Sequence, residues 1–141
     1  MLWEGLFFDI WHSDKPLYQK ENAEKIAKLF TEIGHKHGVE KQKLWFEAFM
    51  HIANLHWDKI DNYRIDKYLM FLRFQLNEVL HFLVKHNYDQ ELALGWFKSQ
   101  MKRLYSNDEL VSRGIPLQIC DVFLQELNKV DAENISYANL A

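Results

Sequence analysis

Two short motifs in this sequence have the spacing that some helical metal enzymes use. The first is Glu32 with His35, and the second is Glu78 with His81. Both follow the Glu-x-x-His pattern of helical sites that hold two iron or manganese ions between carboxylates. Such a site needs two further inward-facing glutamates, and Glu47 is the only good candidate in mid-helix. A helical di-metal carboxylate enzyme is therefore one hypothesis. We favour the alternative, in which these are ordinary surface residues and the chain uses no metal or other cofactor.

A compact basic patch lies on the fifth predicted helix, formed by Lys98, Lys102 and Arg103. Lysine and arginine contact nucleic-acid phosphates, so this patch is a candidate contact for RNA. The whole chain carries a net charge of −3 and lacks the broad basic field that gives most non-specific nucleic-acid affinity. A stand-alone RNA-binding module is an alternative function, and a solvated helix face is the interpretation we favour.

Other kinds of chemistry find little support in the sequence. The single Cys120 cannot form an internal disulfide, which favours an intracellular setting, and its place on an apolar helical stripe predicts a buried, inert thiol. The five glycines are scattered and form no phosphate-binding loop, so we expect no nucleotide and no small-molecule substrate. No apolar run approaches the roughly 20 residues that a membrane span needs.

The segment from Trp57 to Tyr68 concentrates charged residues around the start of a predicted helix. Asp61, Arg64 and Lys67 are among them, and charges near a buried helix start are costly unless they are paired. Asp61 can pair with Arg64 one turn later and can also cap the helix. Two interpretations stay open: a self-satisfied network that orients the helix, or a binding site for a partner.

The elements that must position these residues are helices. Apolar residues recur at intervals of three and four, and only five Gly and two Pro interrupt the 141 residues. We predict an all-α fold of about six helices in a single domain spanning residues 1–141. Their approximate ranges are 2–11, from Pro16 to Gly34 or Gly38, 41–56, 60–86, 90–105 and 117–130.

The arrangement predicted for these helices is a set of antiparallel pairs, in either a bundle or an irregular α-solenoid (HEAT-like) stack. The fourth helix is apolar on two faces, so we expect neighbours to cover it from two directions. The apolar stripe of the third helix is expected to face the core and comprises Leu44, Trp45, Ala48, Phe49 and Ile52.

Several segments resemble, in the same order, the ribosomal RNA processing protein 1 family of eukaryotic nucleolar factors. They are Trp3-Glu4-Gly5-Leu6-Phe7-Phe8, the Trp11-His12-Ser13-Asp14-Lys15-Pro16-Leu17 turn, the Ile60 to Tyr68 signature, Gly114-Ile115, and Asp121 to Leu127. The resemblance covers nearly the whole chain. Family members usually have helical sequence before this region and often a lysine-rich tail after it, so we expect this chain to be the family core, with the aromatic face of the first helix partly uncovered.

The resemblance implies a non-enzymatic nuclear protein, chiefly of the nucleolus, that supports the processing of ribosomal RNA precursors and large-subunit assembly. Such a protein would act as a scaffold inside a pre-ribosomal particle. Its partners would be other nucleolar assembly factors, and precursor RNA either directly or through them. The resemblance also selects surface charges as candidate partner contacts: Asp14, Lys15, Asp61, Arg64, Asp66 and Lys67.

Overall fold

The protein is described by a computed structural model that covers residues 2–104 and 113–140, with side chains at 2–96, 98 and 113–133. The described residues form six α-helices, which confirms the predicted all-α class. They are α1 (Leu2–Trp11), α2 (Pro16–His37), α3 (Val39–His56), α4 (Ile65–Lys85), α5 (Gln90–Leu104) and α6 (Gly114–Leu140), with a short 3-10 turn at Trp57–Lys59 between α3 and α4. None of the described helices combines the length and apolar character that a membrane crossing requires.

The helix ends follow from local chemistry. Helix α2 begins at Pro16, because the first residues of a helix need no backbone N–H donor and proline has none. Gly38 is the single residue between α2 and α3, and its φ of +84° is one that glycine adopts readily. The fourth helix begins later than predicted, at Ile65, because the carboxylate of Asp61 accepts the backbone N–H of Arg64 at 2.9 Å and holds a turn there. The last helix begins earlier than predicted because Pro116 lies in its first turn, where proline needs no donor.

Polar contacts between α2 and α4 give their relative direction. Thr31 donates a hydrogen bond to Glu78. Further along both helices, one turn on in α2 and two turns on in α4, Nζ of Lys85 lies 3.0 Å from Nε2 of His35. Because both partners advance along the chain together, α2 and α4 run parallel, with the antiparallel α3 between them in sequence.

The same relation holds between α4 and α6. Arg73 lies 3.4 Å from Gln125, whereas His81, further along α4, lies 3.2 Å from Glu133, further along α6. Helices α2, α4 and α6 therefore form one parallel layer in which α4 contacts both neighbours. This order matches the predicted irregular α-solenoid stack rather than a four-helix bundle.

The central helix α4 is covered from two directions, as its two apolar faces predict. On one side, the ring of Phe71 packs against the ring of Phe49 of α3, with the two ring centroids 5.3 Å apart. On the other side, toward α6, the buried carboxylate of Glu126 accepts a hydrogen bond from Asn77 at 3.0 Å and lies 3.6 Å from Arg73. The buried carboxylate is thereby paired, as its low solvent access requires.

The predicted inner face of α3 is confirmed only in part. Of the five residues expected to face the core, Phe49 is buried and Trp45 and Ile52 pack against the core while partly buried, whereas Leu44 is 56% exposed and Ala48 is also exposed. The residues of α3 that are buried are Gln42, Phe46, Phe49, Met50 and Ala53. This helix has two apolar faces, and the helical period cannot indicate which of them a neighbour covers.

The prediction of a buried Cys120 is also wrong, because this side chain is exposed. The buried side of α6 includes Ile115, Ile119, Val122, Glu126 and Val130, which follow one another at three or four residues. Cys120 lies off that face. On α1 the aromatic face is partly uncovered, as expected: Trp3 and Phe7 are buried while Phe8 is 38% exposed.

Replacing the buried Gln75 by methionine should stabilise the protein. Gln75 is fully buried on α4, and neither polar atom of its amide has a hydrogen-bond partner among the described residues. A buried polar atom without a partner costs about 1–3 kcal/mol, and methionine is similar in length. We expect Gln75→Met to raise the free energy of unfolding by about 1 kcal/mol or more in urea denaturation.

Gln42→Met is the matched control for that measurement. Gln42 is also buried, but its amide nitrogen donates to the carbonyl of Phe30 at 3.0 Å, so that only its amide oxygen has no partner among the described residues. Its replacement should therefore give no gain in stability. If Gln75→Met destabilised the protein as much as Gln42→Met does, the amide of Gln75 would have a role that these contacts do not include.

Candidate partner-binding surface

The turn at residues 13–16 and the start of α4 lie side by side, although they are some fifty residues apart in sequence. We call the six charged residues that these segments carry the signature surface: Asp14, Lys15, Asp61, Arg64, Asp66 and Lys67. The side chains of this set differ in exposure, and that difference separates the residues that build the fold from those that can meet a partner.

Lys67 is the member that departs most from expectation. It is 6% exposed, and its ammonium donates to the backbone carbonyls of Trp11 at 2.7 Å and Ser13 at 2.9 Å. Burial lowers the pKa of Lys67, while the nearby carboxylate of Asp14 acts in the opposite direction. The expectation that Lys67 is a surface charge is therefore wrong, because its ammonium is bound by the carbonyl of Trp11, which α1 leaves without a helical donor, and by the carbonyl of Ser13 in the next turn.

Neutral side chains that the sequence did not suggest as site residues hold the turn at residues 13–16 in place by hydrogen bonds. Ser13 is buried, and its hydroxyl donates to the carbonyl of Asp9 at 2.9 Å. The amide of Gln19, in the first turn of α2, donates to the Ser13 carbonyl at 2.8 Å, and the amide of Asn22 lies 3.3 Å from the Ser13 hydroxyl. The only sequence signal for these contacts was the resemblance of the turn to the family motif.

Asp61 and Arg64 form a second part of the network. The Asp61 carboxylate accepts two backbone N–H groups and pairs with the Arg64 guanidinium. That guanidinium also lies over the ring of Trp11, 4.7 Å from its centroid, which is a cation–π contact. Arg64 therefore links the end of α1 to the start of α4 while remaining about one-third exposed at its side chain.

Tyr68 joins the same two helices one residue after Lys67. Its hydroxyl donates to the carbonyl of Phe7 at 2.7 Å, and its ring stacks on the Phe7 ring with centroids 4.5 Å apart. Burial raises the pKa of Tyr68 above its ordinary value, because an ionised phenolate would lose its solvation. The contacts of Lys67, Arg64 and Tyr68 together indicate that the segment from Ile60 to Tyr68, at the start of α4, attaches α1 to the other helices.

Three residues of the signature surface remain on the outside. Asp14, Lys15 and Asp66 are exposed, and Arg64 and Asp61 are partly so. The two interpretations of the charged cluster thus apply to different residues. The network beneath has a structural role, and the exposed residues above it are the candidate contacts.

The remaining predicted residues do not form one site. Lys98 is exposed on α5, while the side chains of Lys102 and Arg103 lie outside the described part of the structure. Of the Glu-x-x-His residues, Glu78 bonds Thr31, His35 bonds Lys85 and His81 lies beside Glu133. Among the residues that the structure describes, no three His, Cys, Asp or Glu side chains are grouped so as to hold a metal ion.

Removing the ammonium of Lys67 should destabilise the fold. Lys67→Met keeps most of the side chain's length but leaves the carbonyl of Trp11 without this charged donor. Hydrogen bonds from charged groups contribute about 1.5–3 kcal/mol, and we expect a loss of that size in urea denaturation. Lys15→Met, at the exposed position beside it, should change stability by less than about 0.5 kcal/mol. Equal stability of both variants and the wild type would show that Lys67 has no structural role.

Tyr68 should make the protein sensitive to alkali. Above the ordinary tyrosine pKa of about 10, the unfolded chain ionises this phenol while the folded protein keeps its proton. The folded state then binds more protons, so stability falls as pH rises, by about 1.4 kcal/mol for each unit above pH 10. Tyr68→Phe lacks the hydrogen bond and should be less stable near pH 8, but this deficit should shrink near pH 11.

Comparing Tyr68→Phe with the wild type at each pH removes the effects of the other titrating groups, because both proteins contain them. Tyr63→Phe is the control, because Tyr63 is 97% exposed. Its stability should follow that of the wild type at every pH. A deficit of Tyr68→Phe that stayed constant between pH 8 and pH 11 would contradict the assignment.

The sequence was also compared with known proteins. A family model described as nucleolar protein, Nop52 matches residues 1–141. The ribosomal RNA processing protein 1 homolog of Drosophila melanogaster is 34% identical over 139 residues, which are 99% of this chain and 20% of that protein. The human ribosomal RNA processing protein 1 homolog A is 31% identical over 135 residues, or 96% of this chain and 29% of that protein.

A Dictyostelium discoideum homolog of the same name is 31% identical and covers 99% of this chain and 31% of that protein. The chain thus spans between a fifth and a third of the length of these relatives. The family resemblance that the motifs suggested is confirmed over nearly every residue. The chain belongs to the Nop52 family of nucleolar proteins.

Proposed function

We propose that this chain is a non-enzymatic scaffold of the nucleolus that supports the processing of ribosomal RNA precursors and the assembly of the large ribosomal subunit. It acts within a pre-ribosomal particle by binding neighbouring assembly factors, and it meets precursor RNA directly or through them. The names of its relatives, ribosomal RNA processing proteins, support the process. The description of its family as nucleolar supports the location.

The observation that carries the scaffold role is the division within the signature surface. Lys67, Arg64 and Tyr68 attach α1 to α4, so these contacts fix the relative position of the two segments that carry the exposed Asp14, Lys15 and Asp66. Charges in fixed positions can specify one orientation of a partner without large affinity of their own. A scaffold in an assembling particle needs this property, because its partners must be placed relative to one another.

Reversing two exposed charges should test the scaffold role without unfolding the protein. In cells that carry the tagged chain, the double variant Lys15→Glu with Asp66→Lys should recover roughly ten-fold less large-subunit precursor RNA and assembly factor than the wild type. Both residues are exposed, so the purified variant should unfold at nearly the wild-type temperature.

Lys25→Glu is the matched control, since Lys25 is an exposed lysine of α2 that lies outside the signature surface. It should recover the same material as the wild type. Equal recovery by the double variant would remove this surface from the proposal. Recovery of no ribosomal precursors by the wild-type chain, or stoichiometric iron, manganese or zinc in the purified protein, would contradict the scaffold function itself.

A further inference from the structure

An apolar groove lies on the side of the molecule formed by α1, α2 and α3. It has a volume of about 740 Å³. We name it the α3 groove, and its apolar lining consists of Leu2, Trp3, Ile33, Leu44, Trp45, Ala48 and Ile52. Four of these seven residues belong to α3, so the groove follows the face of α3 that was expected to point into the core.

The sequence of α3 is apolar on two faces, and the described helices cover one of them fully and the other only in part, since Trp45 and Ile52 are partly buried against the core. Phe46, Phe49 and Ala53 are buried in the core, while Leu44 is 56% exposed and Leu55, two turns beyond Ala48, is 52% exposed. A helix that is apolar all round is normally buried all round. A contiguous exposed apolar surface is commonly a site of protein association.

The ionisable side chains that line the groove are basic ones. His37, Lys41 and His51 line it, and no aspartate or glutamate does. This is notable in a chain whose net charge is −3. Glu40, in the first turn of α3, lies 3.9 Å from Lys43 and does not line the groove, so Lys41 is the cationic side chain that the groove offers to a partner.

We infer that the α3 groove binds an amphipathic helix of a partner protein, with the apolar face of that helix against Leu44 and Ile52 and its acidic side chains near Lys41. Helices that bind in grooves present apolar residues at i, i+3, i+4 and i+7, which suits a groove lined along one helix. The aliphatic lining favours such a peptide over RNA, because nucleic acid requires several cationic contacts to phosphate. Only the description of the partner as an assembly factor rests on the proposed function.

Two synthetic peptides test the inference on the purified chain. Each has about 20 residues, enough for a helix, with leucine at the i, i+3, i+4 and i+7 positions. One carries glutamate on its other face and the second carries lysine. Fluorescence anisotropy should show the glutamate peptide binding at least about ten-fold more tightly than the lysine peptide, with Lys41→Glu reversing this preference.

Leu44→Glu introduces a negative charge into the groove and should lower the affinity for the glutamate peptide by about ten-fold or more. Leu124→Glu is the matched control, because Leu124 is 67% exposed on α6 and does not line the groove. It should bind the peptide as the wild type does. Circular dichroism of both variants checks that each is folded, and since Leu44 is largely exposed, both should be.

Three results would overturn the inference. The first is equal binding of both peptides, or binding that Leu44→Glu does not change. The second is self-association of the chain that Leu44→Glu abolishes in light scattering, which would make a second copy the occupant. The third is tight binding of a uridine oligonucleotide that Lys41→Glu abolishes, which would make the groove an RNA site. Peptide binding without recovery of ribosomal precursors in cells would contradict the proposed function and leave the groove in place.

Discussion

A helix that ends inside a protein leaves carbonyl groups without donors. At the end of α1 the ammonium of Lys67 donates to one of them, the carbonyl of Trp11, and also to the carbonyl of Ser13 in the following turn. A buried charge is costly unless it is well bonded, so this contact requires the end of α1, the following turn and the first turn of α4 to keep one arrangement. The stacked rings of Phe7 and Tyr68 then have a defined position beside it. The placement of α1 over α3 and α4, and with it one wall of the α3 groove, depends on this interaction.

The same interaction explains why the segments that resemble the family contain residues of two kinds. Lys67, Ser13 and Tyr68 bond backbone atoms of the molecule itself, whereas Asp14, Lys15 and Asp66 point outward at the same place. A binding surface on a rigid support loses little conformational entropy when a partner arrives. The structural and the binding interpretations of the cluster are thus parts of one arrangement, in which the buried residues position the exposed ones.

The stacking of α2, α4 and α6 in one parallel layer leaves large surfaces of the other helices open. In an α-solenoid each unit contacts only its neighbours, so the outer faces stay available for other molecules. The second apolar face of α3 is one such surface, and the exposed stripe of α6 that contains Leu117 and Leu124 is another. A fold of this kind suits a protein that is held among several others.

The sequence by itself determined the helical class, the start of α2 at Pro16, the double coverage of α4 and the family, because these depend on local backbone preferences, on periodicity and on ordered motifs. It narrowed the end of α2 to Gly34 or Gly38, and the structure places the joint at Gly38. The sequence did not determine that the predicted face of α3 is covered only in part, nor that Cys120 is exposed. The helical period shows that a face is apolar but not which helix covers it. The tertiary structure alone decided that Lys67 is a buried donor. Its acceptors lie more than fifty residues away in the chain, and until the fold brings Trp11 and Ser13 beside it, Lys67 cannot be distinguished from a solvated surface lysine.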